Sequence, residues 1–447
     1  MMSEDLLKKY HFNPAEFARL QSEYRSGRLS LETNVITFGN DWEVRLPRPE
    51  DTVSFPGPTS SAAEKGKEII SRGALGMILM NGGAATRFQR PGENLPKGAF
   101  EILEEGGRPR SFMELKLAHA RWAEQAYSGR IPVWILNSYF TDRRTREILE
   151  ARDDFGKKEV FTYCQGIMKR VYPTASDLRL HYSRALAAAA GGEREKLESF
   201  LDRWEGWARE NAGGELDEAQ GENRYNPPGH LDTTLWLLLD PSRPLQKMLE
   251  LGVEYLLVAN IDNLGATVDP VLPGLLSERS PEKRILCEVS VKPPGQKGGT
   301  LARVRDPGAG REWPQIIEEF AFPRSFDQDA IPDFNNATYT ISVPALLDLF
   351  AVDRDTLSKA GPDELAELVK AVTDRLPVYV AIKEVKASGE VIPVVQFERL
   401  QGDLTRLLSP LAVRTEGRFF PVKKREDIPV MVPLLRRALA GKLVLQD

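Results

Sequence analysis

A short stretch near residue 80 combines a glycine turn with two cations, a pattern suited to binding phosphate. Asn81-Gly82-Gly83 follows the apolar run Leu75–Met80, and two adjacent glycines let the backbone approach a ligand closely. Their N–H groups could face a phosphate or the edge of a base. Arg87 could fork onto a phosphate, and Lys97 adds a second cation. The stretch therefore predicts a triphosphate site, although a Gly-Gly pair alone is also typical of a tight turn.

Polar residues follow other apolar runs in the same way. Asp262 follows the run 255–259, and a carboxylate there could hold Mg²⁺ between phosphates, because Mg²⁺ takes one or two carboxylates and keeps several waters. The alternative is that Asp262 caps a helix. Gln165 follows the run 160–164, and its amide offers both a donor and an acceptor.

The alternation of these runs with helical segments predicts an α/β fold with a mixed, mostly parallel sheet. Ligands bind such sheets at the carboxyl ends of the strands. We therefore expect Asn81-Gly82-Gly83, Asn137-Ser138 and residues 260–263 to lie at one site. The charged stretch 193–225 is predicted to be an exposed helical excursion.

Three regions follow from this pattern. Residues 1–65 are predicted to be an N-terminal helical segment, with Asn13 as a helix cap. Residues 66–428 would form one large α/β domain, in which Ser111 begins a helix. Residues 429–447 are predicted to be a short C-terminal helical tail.

Composition excludes several classes of protein. The chain has 447 residues, of which 41% are hydrophobic and 28% charged, as in ordinary globular proteins. Its net charge of −5 provides no basic field for nucleic acid. No apolar run reaches the roughly 18 residues that would predict a membrane span, and the N-terminus lacks the apolar core of a signal peptide. Cys164 and Cys287 match neither a disulfide framework nor a zinc site. We therefore expect a cytoplasmic protein without nucleic-acid or membrane partners.

Several motifs occur in a fixed order, and together they resemble one enzyme family. They are Leu79-Met-Asn-Gly-Gly with Thr86, Pro96-Lys97, Pro227-Pro-Gly-His, Asn260-Ile-Asp-Asn-Leu-Gly-Ala, Lys297-Gly-Gly-Thr and Phe419-Phe-Pro-Val-Lys-Lys. The order resembles the UTP–glucose-1-phosphate uridylyltransferases, the UDP-glucose pyrophosphorylases of eukaryotic type, from about residue 70 to residue 428. The resemblance implies a Rossmann-like nucleotidyltransferase core that forms UDP-glucose and pyrophosphate from UTP and glucose 1-phosphate with Mg²⁺.

The resemblance also implies roles for individual residues. Lys97 and Arg87 would be catalytic cations, and Asp262 would be the metal ligand. The nucleotide would be bound by Asn81, Gly82, Gly83, Gln165 and Gly229, and the sugar phosphate by His230, Gly298, Gly299, Asn335, Lys383 and Glu398. Plainer alternatives also exist: the glycines could be turns, Asn335 part of a loop, the lysines solvated surface cations, Arg87 a member of a structural salt bridge, and His230 a structural histidine.

Departures from the family pattern keep other interpretations open. Ala85, Gln89 and Leu231 stand where relatives commonly have glycine. The Phe419 motif is followed by only about two dozen residues, so the β-helix that relatives use for subunit contacts is not expected. We therefore expect a monomer or a weak dimer. The rival hypotheses are a uridylyltransferase for galactose 1-phosphate or N-acetylglucosamine 1-phosphate, and a non-catalytic homologue that binds UDP-sugars.

Overall fold

The computed structural model describes residues 2–83, 88, 95–292, 298–387 and 389–446. The α-helices are α1 (Met2–Lys9), α2 (Pro14–Arg25), α3 (Ser61–Ser71), α4 (Phe112–Ala126), α5 (Asp142–Ala151), α6 (Ala175–Ala188), α7 (Gly191–Asn211), α8 (Asp232–Leu239), α9 (Pro244–Glu250), α10 (Val271–Glu278), α11 (Val343–Leu349), α12 (Arg354–Lys359), α13 (Pro362–Thr373) and α14 (Ile428–Leu439). The β-strands are β1 (Glu43–Arg45), β2 (Thr52–Ser54), β3 (Leu75–Met80), β4 (Glu101–Glu105), β5 (Arg108–Ser111), β6 (Val133–Asn137), β7 (Val160–Cys164), β8 (Met168–Lys169), β9 (Tyr225–Asn226), β10 (Tyr255–Asn260), β11 (Ile285–Val291), β12 (Thr300–Asp306), β13 (Arg311–Ile317), β14 (Asp333–Ser342), β15 (Tyr379–Ala387), β16 (Glu390–Glu398) and β17 (Pro410–Arg414).

An eight-stranded sheet forms the centre of the structure, in the order β2-β17-β11-β14-β10-β3-β6-β7. Strands β10, β3, β6 and β7 run parallel to one another. Strand β14 lies between β10 and β11 and is antiparallel to both. The prediction of an α/β fold with a mixed, mostly parallel sheet is confirmed.

Strand β3 is apolar throughout because both faces of the sheet are covered by helices. Leu75, Met77 and Leu79 share one hydrophobic cluster with residues of α3, α4 and α14. Ile78 and Met80 share another with residues of α8 and α9. This packing fixes the end of β3, and thus the start of the glycine turn that follows it.

The hairpin β15–β16 forms a separate layer beside the sheet. One of its clusters includes Phe17 and Leu20 of α2, and another includes Leu201 and Trp204 of α7. The stretch predicted to be an exposed excursion is therefore only partly exposed, because its buried side chains cover the hairpin.

The terminal segments also contact the core. Asn13 and Ser111 cap α2 and α4 as predicted. Strand β2 pairs with β17 at the edge of the central sheet. Helix α14 buries Leu435 and Leu439.

None of the helices in the described ranges is long and apolar enough to cross a membrane.

Candidate functional site

A cleft of about 350 Å³ opens at the carboxyl ends of β3, β6, β7 and β10. This is the volume of a pocket that takes a small-molecule ligand. Of the predicted site residues, those that line the cleft are Asn81, Gly82, Gly83, Lys97, Gln165, Gly229, His230, Asp262 and Glu398. The structure thus brings together residues that are far apart in the sequence.

Two lysines converge on one buried carboxylate in this cleft. Asp262 is only 4% exposed. Lys97 donates a hydrogen bond from Nζ to Asp262 Oδ2, and Lys423 Nζ lies 3.4 Å from the same oxygen. Burial alone would raise the pKa of Asp262, but Lys423 and Lys97 outweigh this effect and lower it. The carboxylate is therefore ionised at neutral pH, and the three groups leave a local excess of positive charge.

Asn81 fixes the turn that carries Lys97. Its Oδ1 accepts a hydrogen bond from the Gly98 N–H at 2.9 Å, and its Nδ2 donates to Asn137 and Thr145, both at 3.0 Å. A Cβ on residue 98 would come within 2.9 Å of Asn81 Oδ1, so the turn requires glycine. We infer that the Asn81 amide positions Lys97, because both of its polar atoms already have partners.

Gly82 leaves the space that Gln165 needs. A Cβ on residue 82 would lie 2.4 Å from Gln165 Nε2. No hydrogen bond joins the Gln165 side-chain amide to any residue that the structure describes, and the residue is 6% exposed. Its donor and acceptor are thus available to a ligand in the cleft. A Cβ on Gly83 would meet nothing within 4 Å, so the space around that position requires no glycine.

Gly229 brings a loop against the backbone of Arg399. It has a φ of +113°, and a Cβ there would lie 2.2 Å from the Arg399 carbonyl oxygen, so only glycine fits. The next residue, His230, is exposed to the cleft. The cleft walls remove water from around the His230 imidazole, and this desolvation lowers its pKa. The charge of Glu398 opposes this effect, and that of Lys423 adds to it. The imidazole is therefore neutral at pH 7 and can donate or accept a hydrogen bond.

Strand β16 forms the opposite wall. When the Gln396 amide is oriented with its oxygen toward the Arg170 guanidinium, its nitrogen donates to Glu398 Oε1 at 2.8 Å. Lys383 Nζ lies 3.7 Å from the same carboxylate oxygen, and its side chain is 51% exposed. Lys383 is therefore beside the cleft but does not line it.

Three predicted sugar-binding residues form a second group that does not line the cleft. The Asn335 N–H donates to the Gly299 carbonyl at 2.8 Å, and Asn335 Nδ2 donates to the Tyr339 hydroxyl at 2.8 Å. A Cβ on Gly299 would lie 3.0 Å from the carboxyl group of Glu318, whose pKa is raised to about 7 by burial. Gly298 lies beside Phe334: a Cβ on residue 298 would be 3.6 Å from the Phe334 ring.

The residues that could hold a metal ion are few. Within the described ranges there is no group of three or more histidine, cysteine and acidic side chains suited to an ion. Asp262 uses Oδ2 for both lysines, and Oδ1 accepts no hydrogen bond from any described residue. This arrangement fits Mg²⁺, which binds nucleotide phosphates with one or two protein carboxylates.

The sequence-based list missed two groups. Lys423 belongs to the Phe419 motif, but nothing in its spacing shows that the segment returns to Asp262. Glu318 lies outside every motif considered, and only the fold places it over Gly299. Thr86 and Arg87, with Ala85 and Gln89, lie outside the described residues, so the prediction for Arg87 stays a prediction.

Comparisons with known proteins identify the family to which this chain is similar. A family model described as UTP–glucose-1-phosphate uridylyltransferase matches residues 39–182 and 213–443. A probable UTP–glucose-1-phosphate uridylyltransferase of Schizosaccharomyces pombe is 25% identical over 87% of this chain and 64% of its own length. One from Encephalitozoon cuniculi is 28% identical over 66% of this chain and 48% of its own. The chain thus spans less than two thirds of the length of these relatives.

Solved structures share the fold. A mutant UDP-glucose pyrophosphorylase from Leishmania major, in complex with UDP-glucose, has a TM-score of 0.61 and 20% identity over 94% of this chain and 76% of its own. A uridine diphosphate N-acetylglucosamine pyrophosphorylase from Trypanosoma brucei has a TM-score of 0.60 and 17% identity, covering 89% and 73%. The similarity of fold does not separate the two activities, but the family model matches most of this chain. The chain therefore belongs to the UTP–glucose-1-phosphate uridylyltransferase family.

Proposed function

We propose that this chain is a uridylyltransferase that forms UDP-glucose and pyrophosphate from UTP and glucose 1-phosphate. The observation that carries the proposal is the convergence of Lys97 and Lys423 on Asp262 at the carboxyl ends of the parallel strands. Both substrates are polyanions, and this corner offers excess positive charge and a carboxylate for a metal ion. Membership of the family supports the same reaction.

The reaction is a displacement at phosphorus. An oxygen of the sugar phosphate attacks the α-phosphorus of UTP, the bond from that phosphorus to the bridging α–β oxygen breaks, and pyrophosphate leaves. No general base is needed, because the attacking phosphate is ionised near neutral pH. The protein must position two anions and neutralise charge. In the proposed roles, Lys97 and Lys423 neutralise the α-phosphate and the departing pyrophosphate.

Mg²⁺ would be held by Asp262 together with the phosphates of UTP, where it would offset their charge. On the nucleotide side, the Gln165 amide would pair with the edge of uracil, and Arg87 with the β,γ-phosphates. On the sugar side, His230 and Lys383 would bind the phosphate.

Sugar hydroxyl groups would be bound at the wall formed by strand β16. Glu398 lines the cleft, and its carboxylate suits hydroxyl recognition. The group formed by Gly298, Gly299 and Asn335 would complete the sugar site, with Glu318 beside it. A hydroxyl-binding site of this kind discriminates strongly, because an analogue without the hydroxyl leaves buried polar groups unpaired.

The test is a direct assay. Purified protein, UTP, Mg²⁺ and glucose 1-phosphate should give equal amounts of UDP-glucose and pyrophosphate. A panel with galactose 1-phosphate and N-acetylglucosamine 1-phosphate tests the choice of sugar, and CTP and ATP test the choice of base. Turnover with another sugar alone would reassign the substrate. UTP binding without turnover of any sugar phosphate would show a non-catalytic homologue.

We also propose a monomer or weak dimer in the cytoplasm. Helix α14 buries Leu435 and Leu439 against its own chain, and the large hydrophobic residues it exposes are Val430 and Leu434. So small a patch falls short of a large obligate interface. Cys164 and Cys287 are both free and buried, which suits a reducing compartment. Light scattering over a dilution series tests the assembly; a stable octamer would contradict it.

A further inference from the structure

Helix α4 places a lysine in the interior of the protein, behind the cleft. Lys116 is 2% exposed, and its Nζ donates to the carbonyl oxygens of Asn263 and Ala266, both at 2.6 Å. No carboxylate of the described chain lies within 4 Å of this ammonium group. Its polar partners are therefore the backbone of the loop that begins next to Asp262.

Burying an ammonium group in this way is costly. Burial lowers the pKa of Lys116 to about 7; Arg418 adds to this effect, and Asp262 and Glu288 oppose it. An apolar side chain of the same length would avoid the cost. The lysine is therefore expected to form hydrogen bonds that an apolar residue could not form.

The loop that Lys116 holds supports both Asp262 and Lys423, which meet at the cleft. Asn263 Oδ1 accepts a hydrogen bond from the Phe420 N–H at 3.0 Å, and the Asp262 carbonyl accepts one from the Val422 N–H at 3.3 Å. The loop therefore carries Asp262 itself and also anchors the segment that ends in Lys423.

The same helix face grips the far end of this loop. His119, one turn after Lys116, accepts a hydrogen bond from the Val268 N–H at its Nε2, at 2.9 Å. Its Nδ1 therefore donates to the Lys442 carbonyl, 3.1 Å away. Burial lowers the pKa of His119 to about 3, so the ring stays neutral in this role.

We propose that Lys116 is a positioning residue for the candidate site: by holding the Asn263 and Ala266 carbonyls it fixes Asp262 and, through residues 420–423, Lys423. It lies behind the cleft and is not among the residues that line it. The kinetic part of this inference rests on the proposed function. Its binding part requires only that Mg²⁺ and UTP bind at the cleft.

The test compares Lys116→Met with a matched control, Lys157→Met. Lys157 is also buried, but it donates to Glu124 at 2.9 Å and precedes β7, at the end of the sheet away from the cleft. Both variants should lose thermal stability. Only Lys116→Met should lower kcat, by at least about tenfold, because small displacements of reacting groups have effects of this size or larger.

Two readouts do not depend on turnover. Calorimetric titration with UTP and Mg²⁺ should show a higher Mg²⁺ midpoint in Lys116→Met than in wild type and Lys157→Met. Hydrogen exchange should be faster at the amide of Val268. Lys116→Gln retains an N–H donor, now from an amide, and should therefore show smaller changes in both readouts than Lys116→Met. It also replaces Lys116→Met in the test if that variant does not fold.

The outcomes separate the two proposals. Wild-type protein without turnover would contradict the proposed function, and the titration would still decide the role of Lys116. Equal kcat and equal Mg²⁺ midpoints in Lys116→Met and Lys157→Met would overturn the positioning role and leave only a contribution to stability.

Discussion

The two walls of the cleft are built differently. On the sheet side, Asp262, Lys97 and Asn81 are held by partners at the ends of parallel strands, and each is buried or nearly so. On the hairpin side, Glu398 meets Lys383 at 3.7 Å, and the lysine side chain is half exposed. The hairpin has only two strands and depends on α2, α6 and α7 for its packing.

In the proposed reaction, this difference would separate two tasks. Charge that develops during reaction is best stabilised by groups already fixed in place, as on the sheet side. Substrate can be bound by partly exposed groups that become ordered when it binds, as we propose for the hairpin side. We therefore expect substitution of the charged sheet-side residues Lys97 and Asp262 to lower kcat, and substitution of Lys383 on the hairpin side to raise KM for the sugar phosphate.

The largest effect is expected at Lys97. Lys97→Ala removes a cation that should bind developing charge better than the ground state, so turnover should fall by about 10²–10³ with a smaller change in UTP affinity. Steady-state kinetics and UTP titration measure both quantities. Turnover close to wild type would remove Lys97 from the mechanism and erase the contrast between the walls.

Asp262→Asn should come next. The substitution keeps the shape of the side chain but removes the charge that would hold Mg²⁺, so activity should fall and the Mg²⁺ midpoint should rise. The measurement is a Mg²⁺ titration of activity at saturating UTP. An unchanged midpoint would assign Asp262 to the lysines alone and not to a metal ion.

Gly82→Ala should have a smaller and more selective effect. The new Cβ would displace the Gln165 amide, so KM for UTP should rise about tenfold if a hydrogen bond to uracil is lost, which is worth roughly 1–3 kcal/mol. Gly83→Ala is the control, because nothing lies within 4 Å of the added atom. Similar kinetics for the two variants would contradict the proposed role of Gln165.

Lys383→Ala tests the hairpin wall. Because this lysine is half exposed, its loss should raise KM for glucose 1-phosphate only a few-fold, in line with the modest energies of solvated charges. KM for UTP should not change. Lys386→Ala, another exposed lysine of β15, should behave as wild type. A large loss of kcat in Lys383→Ala would place chemistry on both walls.

The last prediction concerns stability and its dependence on pH, not turnover. Burial raises the pKa of Asp403 to about 8, and its Oδ1 accepts a hydrogen bond from Tyr379 at 2.9 Å. The native state therefore keeps this proton when the unfolded chain has released it, so its contribution to stability falls as pH rises from about 4 to about 8.

The measurement for Asp403 must be a difference, because the lowered pKa values of His119 and Lys116 act in the opposite direction. The free energy of unfolding of the wild type, minus that of Asp403→Asn, should decrease between pH 4 and pH 8. Denaturant titration at several pH values gives it. A difference that does not vary with pH would show that Asp403 is ionised in the native state.

Sequence patterns identified what local physics determines. The continuous apolar run of β3 and the cap at Ser111 follow from burial and backbone hydrogen bonding, and the structure confirms both. The antiparallel position of β14 could not be predicted, because an apolar run carries no information about its partner's direction. Lys116 was missed for a similar reason: it lies within the apolar period of α4, where only tertiary structure shows two carbonyl groups facing it.

The geometry of Asp262 also bears on how the protein folds. Lys97 lies 165 residues before it in the chain and Lys423 lies 161 residues after it. Contacts between such distant segments form late, because the loops between them must close first. During synthesis the site cannot be complete until residue 423 has left the ribosome. In refolding experiments, enzymatic activity should therefore return after helical structure does, and so report complete folding of the chain.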